Sequence, residues 1–100
     1  GDSYYLDFER IRTHNGYVYF WYLTNRLERD NFGDLSDKTY TEGDCNLFRM
    51  RWLDITYHTQ LMGKGAPSAS GVSKKGQEWQ YPQPDSVIEV VLNRVCTYLK

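Results

Sequence analysis

Apolar and polar residues alternate along most of the chain and change to a helical period only near its C-terminus. Residues 4–8, Tyr-Tyr-Leu-Asp-Phe, read as a short strand with Tyr4, Leu6 and Phe8 on one face and Asp7 on the other. The pattern runs through Ile11 to His14-Asn15-Gly16, where Asn-Gly predicts a tight hairpin because both residues tolerate positive φ. Residues 17–24, Tyr-Val-Tyr-Phe-Trp-Tyr-Leu-Thr, are apolar on both faces. Such a strand is covered on both sides, or covered on one and used for binding on the other. The charged segment 25–37, with Gly33 and several acids, predicts a solvated loop.

Residues 38–44 alternate weakly and suggest a third strand ending at Gly43-Asp44. The clearest strand is 47–59, where Phe48, Met50 and Trp52 point one way and Arg49 and Arg51 the other, followed by Leu53. Residues 63–76 are rich in Gly, Ser, Ala and Lys without a period, which predicts a mobile loop or a long hairpin tip. Residues 78–81, Glu-Trp-Gln-Tyr, form a short last strand stopped by Pro82 and Pro84. Ser86 with Glu89 then makes a capping box, and Asp85 adds negative charge at the helix start. Ile88, Val91, Leu92, Val95 and Leu99 fall on one helical face, with Cys96 beside that stripe. The predicted fold is α+β: an antiparallel sheet of four to six strands packed against one C-terminal α-helix, in one domain over residues 1–100.

The charge balance, with 12 basic and 13 acidic side chains, excludes a general electrostatic grip on nucleic acid or anionic membrane. No apolar run approaches the roughly 18 to 20 residues of a membrane span. No leader is visible, so export requires one removed ahead of Gly1. Nine tyrosines among 16 % aromatic residues suit a β-rich core, and a minority of them suit a recognition face. The two cysteines, Cys45 and Cys96, are compatible with a free pair, an intramolecular bridge or inter-chain bonds. An intramolecular bridge across that separation would stabilise the fold by about 4 kcal/mol in the loop-entropy account and would indicate an oxidising compartment.

No constellation for catalysis stands out. His14 and His58 lack Cys, Asp or Glu at ligand spacing, so neither a metal nor a haem is expected, and both read as solvent-facing. No Gly-x-Ser-x-Gly elbow frames a nucleophile, and Asp34 and Asp37 fall in the predicted loop without an apolar pocket to shift a pKa. Met62-Gly63-Lys64-Gly65 is too short for a phosphate loop and runs into Ala66-Pro67, so it reads as a turn exposing Lys64. Arg49 and Arg51 either meet an anionic or aromatic partner or pair across strands with Asp7, Glu9 or Glu42. Lys74 and Lys75 add a small basic pair. The chain reads as a non-enzyme without a cofactor.

The order of these elements resembles the surface-adhesin protein E family of small exported bacterial proteins and lipoproteins. The resemblance rests on the aromatic run from Val18 to Leu23, on Asp44-Cys45 before Phe48-Arg49-Met50-Arg51, and on Met62-Gly63-Lys64-Gly65. It continues with Trp79-Gln80-Tyr81 and with the helix from Pro84-Asp85-Ser86-Val87 to Cys96. It implies a Cys45–Cys96 disulfide, an antiparallel sheet backed by the helix, and an exported location in the periplasm, at the outer-membrane surface or outside the cell. Segments 25–37 and 66–77 look particular to this chain. The expected function is a non-enzymatic envelope or surface domain that binds an extracellular or envelope protein. Arg49, Arg51, Tyr19, Trp21 and Lys64 are the candidate contact residues. A homodimer through an edge strand or the aromatic face fits the same pattern. The alternative is a small periplasmic inhibitor or ligand-binding protein using 63–76 as an inserting arm.

Overall fold

The computed structural model describes residues 2–100. Six strands, β1 (Ser3–Leu6), β2 (Arg12–His14), β3 (Tyr17–Asn25), β4 (Ser36–Asp44), β5 (Arg49–His58) and β6 (Ala69–Ser70), form one antiparallel sheet in the order β1-β3-β4-β5-β6. β2 shares the outer edge of β3 with β1. The helix α1 (Val87–Tyr98) lies across one face. The α+β architecture is therefore present as the alternation and the late helical period predict.

Local chemistry sets the hairpins. Asn15 and Gly16 both take positive φ, 51° and 84°, and join His14 to its partner Tyr17 as a two-residue turn. The first strand is shorter than the apolar pattern suggests. The chain leaves the sheet at Asp7 and makes a 3-10 turn at Phe8–Arg10, so Phe8 packs on Tyr98 of the helix, 5.1 Å away, rather than on a strand face. β4 starts at Ser36, earlier than the charged composition of 25–37 implies. Asp37 can join the strand because Arg26 lies 2.6 Å from its carboxylate. Asp34 is buried too and accepts from the Ser68 hydroxyl at 2.6 Å. Neither acid belongs to a solvated loop.

Segment 63–76 is not a free tip. Ser68 N–H donates to Tyr57 O, Gly71 N–H to Ile55 O, and Trp52 N–H to Gly76 O, so the segment returns along the outer edge of β5. The predicted strand at 78–81 reduces to reciprocal bonds between Met50 and Gln80. Phe48 takes positive φ (52°) in the β4–β5 turn, so β5 begins only at Arg49 rather than at Leu47. The pairing of β4 with β5 shifts register between Tyr40 and Thr41: Thr41 faces Trp52 while Tyr40 faces Asp54. Leu53 is the extra residue of a β-bulge, and every side chain beyond it changes face relative to strict alternation.

On the helix face, β4 offers only Asp37, Thr39, Thr41 and Gly43. Apolar bulk comes instead from the flanking strands, Val18, Phe20 and Tyr22 on β3 and Met50 on β5, with Ile11 beside them. Val91, Leu92 and Val95 of α1 fill the space above, helped by Ile88 and Cys96. Leu99, predicted to complete the stripe, lies past the helix end and is 42 % exposed. Ser86 Oγ accepts from Glu89 N–H at 3.2 Å, and the Glu89 carboxylate takes the N–H of Asp85 rather than that of Ser86. Cys45, in the β4–β5 turn, is bonded to Cys96 in the last helical turns, with Cα atoms 5.7 Å apart.

Gly43 is the close-approach point: a Cβ there would lie 2.9 Å from Leu92 Cδ1 and 3.0 Å from Val18 Cγ1. Gly43→Val should lower unfolding free energy by about 1–3 kcal/mol in urea titration, because two fully packed side chains must give way. Replacing both cysteines by serine should cost about 2–4 kcal/mol in the same assay, since the unfolded chain is no longer cross-linked.

Candidate functional site

The helix occupies one side of the sheet and leaves the other side open. Alternation along β3 places Tyr17, Tyr19, Trp21 and Leu23 there, and register places Lys38, Tyr40, Glu42 and Asp44 of β4 beside them. Arg49 and Arg51 come from β5, and beyond the bulge Asp54, Thr56 and His58 join the same face. Trp21 stacks on Tyr40 with ring centroids 4.8 Å apart and planes inclined by 27°.

At one end of this face, Glu42 accepts from the Tyr19 hydroxyl and from Arg51 Nε, the latter at 2.5 Å. Arg49 Nε donates to Asp44 at 2.9 Å. Both guanidiniums lie over the ring of Trp79, 4.2 and 4.6 Å from its centre, and Tyr17 flanks that indole at 5.3 Å. The two arginines are thus paired across strands, with Glu42 as one of the partners expected and Asp44 as an unexpected one. Each uses Nε for its carboxylate, which leaves the planar outer edges of the guanidiniums available to a partner. Tyr19, Arg49 and Arg51 therefore form one platform. Trp21 adjoins it through Tyr40, whereas Lys64 is exposed in the segment following the 3-10 turn Leu61–Gly63. Trp79 completes the platform and was legible only as part of a short strand, because its neighbours carry no period.

Asp44 also builds the turn that presents Cys45. Its Oδ1 accepts from the N–H groups of Asn46 and Leu47 at 3.0 and 3.2 Å. Burial raises the carboxyl pKa, but the Arg49 guanidinium and these two donors outweigh it and hold it below the ordinary carboxylate value. The Tyr19 hydroxyl is held above its ordinary value, first by the bond to Glu42 and then by burial.

A hollow borders the sheet on each of its faces. One, of about 400 Å³, lies at the far end of the open face from Trp79 and includes Trp21, Lys38, His58 and Met62 in its lining. The other, of about 340 Å³, lies on the helix side beside Val87 and Ile88, next to the Arg26–Asp37 pair. His58, expected at the surface, is 1 % exposed because the bulge and the 3-10 turn enclose it. His14 is exposed as expected. Among the described residues no group of three His, Cys, Asp or Glu side chains is placed to hold a metal ion, and no helix is long and apolar enough to cross a membrane.

A six-stranded antiparallel sheet backed by one disulfide-tethered C-terminal helix defines the class of protein. The profile of the surface-adhesin protein E family matches residues 1–97, and the chain belongs to that family. Comparison with curated proteins gives no match. Among solved structures, crystal form II of Haemophilus influenzae protein E superposes with a TM-score of 0.71 at 19 % identity, covering 97 % of this chain and 83 % of that one. The crystal structure of protein E from non-typeable Haemophilus influenzae gives a TM-score of 0.61 at 17 % identity, covering 94 % and 69 %. At these identities the likeness establishes the fold. Family membership indicates an exported surface adhesin and points away from catalysis.

The Asp44 carboxyl titrates lower in the folded chain than in the unfolded one, so its contribution to stability is complete above the ordinary carboxylate range. That contribution is lost as pH falls through the folded value. The stability difference between the parent chain and Asp44→Asn should shrink as pH falls through and below the ordinary carboxylate range, as read by urea unfolding at each pH.

Proposed function

We propose that this adhesin binds extracellular host proteins through the platform made by Trp79, Arg49, Arg51 and Tyr19. The observation that carries the reading is two guanidiniums laid over one indole on an open sheet face. Arg, Trp and Tyr are the side chains that dominate interface hot spots, because they combine large apolar area with directed hydrogen bonds. Stacking on Trp79 and pairing with Asp44 and Glu42 fix both guanidiniums before a partner arrives, so little side-chain entropy is lost on binding. A partner supplying carboxylates or carbonyl oxygens suits the exposed guanidinium edges.

Self-association would use the same aromatic face. The edge strands β1, β2 and β6 are only 4, 3 and 2 residues long, so each offers a short template for strand addition. An inhibitor that inserts 63–76 as an arm is a poorer reading, because that segment is hydrogen-bonded along β5.

Binding of the oxidised protein to immobilised extracellular-matrix glycoproteins tests the reading. Arg49→Lys/Arg51→Lys/Trp79→Ala keeps the charges beside Glu42 and Asp44 while removing the stacked platform, and should weaken binding at least about tenfold. Unchanged affinity in a variant that still folds would exclude the platform as the contact surface.

A further inference from the structure

The hollow at the opposite end of the open face is a formed groove rather than a gap between loops. Its floor is Trp21, Leu23 and Lys38; one wall is Tyr5 with Asp7 and Arg10, and the other is Met62, Gly65 and Pro67. The Met62-Gly63-Lys64-Gly65 motif, which platform binding does not use, builds that second wall. Asn25 fixes it by accepting the Met62 N–H at 2.8 Å, and Ser36 Oγ accepts the Gly63 N–H at 2.9 Å. Met62 and Gly63 both take positive φ, 60° and 63°. In that conformation Gly63 lies directly against the Lys38 stem: a Cβ would come within 3.0 Å of both Cδ and Cε. A larger residue would displace the lysine.

The polar groups of the groove are unevenly matched. Asp7 and Arg10 pair at the rim, 3.4 Å apart. Lys38 has no ion-pair or hydrogen-bond partner among the described residues, although its stem is clamped. His58 also lines the groove. Its Nε2 lies 3.0 Å from Thr56 Oγ1, and its buried Nδ1 has no partner. An apolar and aromatic trough of about 400 Å³ with a single unmatched ammonium falls in the size and composition range of small-ligand sites. One negative charge satisfies Lys38. A dianionic group such as phosphate would meet the Asp7 carboxylate at the rim.

The geometry points to a small-molecule site: the groove takes an amphipathic monocarboxylate, with its carboxylate on Lys38 and its apolar body on Leu23, Met62, Pro67 and the rings of Trp21 and Tyr5. The site is separate from the Trp79 platform and stands whether or not that platform binds a host protein.

Decanoate is the test ligand, with decanol as the uncharged control of the same body. Binding is read by calorimetry and by Trp21 fluorescence on the intact, oxidised protein. Decanoate should bind saturably at one site and at least about tenfold more tightly than decanol, the order expected for one ion pair in a partly dry site. Lys38→Gln should abolish that preference while the melting temperature stays close to the parent value. Trp21→Phe should remove the fluorescence response with calorimetric binding retained, and Arg49→Lys/Arg51→Lys should leave decanoate affinity unchanged. Absence of saturable decanoate binding, equal affinity for decanol, or undiminished decanoate affinity in Lys38→Gln would each overturn the proposal.

Discussion

The docking of α1 at Gly43, locked by the Cys45–Cys96 bridge, is the constraint on which the rest of the structure depends. β4 lies in the middle of the sheet yet gives the helix almost no apolar bulk, only threonines, an aspartate and a glycine. A helix can pack there only by coming close, so that Leu92 meets the backbone at Gly43 while Val18, Phe20 and Met50 rise on either side. The bridge then ties the end of the helix to the β4–β5 turn above that contact. For a chain of 100 residues, whose core is modest, this cross-link is a substantial share of the stabilisation. The resulting core is one-sided, and the other face of the sheet has no covering layer.

That uncovered face must be stable in water without a second helix. It manages this by pairing its own polar groups and stacking its own rings. Glu42 and Asp44 are buried, and removing either arginine would leave its carboxylate with neutral donors only, the Tyr19 hydroxyl for Glu42 and two backbone N–H groups for Asp44. Tyr19, Arg49 and Arg51 satisfy them, and Trp79 closes over the guanidiniums. The same interactions that make an open sheet face tolerable also hold in fixed positions the side chains we propose as the contact surface. Structural pairing and partner binding are thus not competing explanations for these arginines, because pairing occupies Nε and leaves the outer nitrogens to a partner.

Features set by neighbours along the chain were legible in the sequence. The Asn15-Gly16 turn, the Ser86 cap, the alternation of β3 and the helical stripe through Val95 all follow from local φ preferences or periodicity. The tether of helix to sheet was legible in the place of Cys96 beside the helical stripe and of Cys45 at a strand turn, and the family pattern implied the same pairing. What the sequence hid depends on contacts far along the chain. Ser36 and Asp37 read as loop until Arg26 is seen beside Asp37, and segment 63–76 reads as free because its backbone bonds to β5 carry no side-chain signal. His58 reads as a surface residue because its burial needs both a bulge and a turn folded over it. Of the platform, Tyr19, Arg49 and Arg51 were visible from alternation, whereas Trp79 joins them only through the return of the chain past Gln80.

The bulge at Leu53 decides how the open face is divided. Strict alternation from Met50 would send Asp54, Thr56 and His58 to the helix side and turn Ile55 and Tyr57 outward. The extra residue reverses that assignment. Before it, β5 contributes the two arginines that stack on Trp79; after it, β5 contributes Thr56 and His58 to the groove around Lys38. Ile55 and Tyr57 go instead to the helix side, beside Val87 and Ile88. One strand therefore serves a charged aromatic platform at one end and a half-apolar groove at the other, with the Trp21–Tyr40 stack between them. Without the bulge three polar side chains would turn toward the helix, and the groove around Lys38 would lose Thr56 and His58 from its lining. The one irregular residue in the central meander is what allows a single sheet face to carry two surfaces of different chemistry.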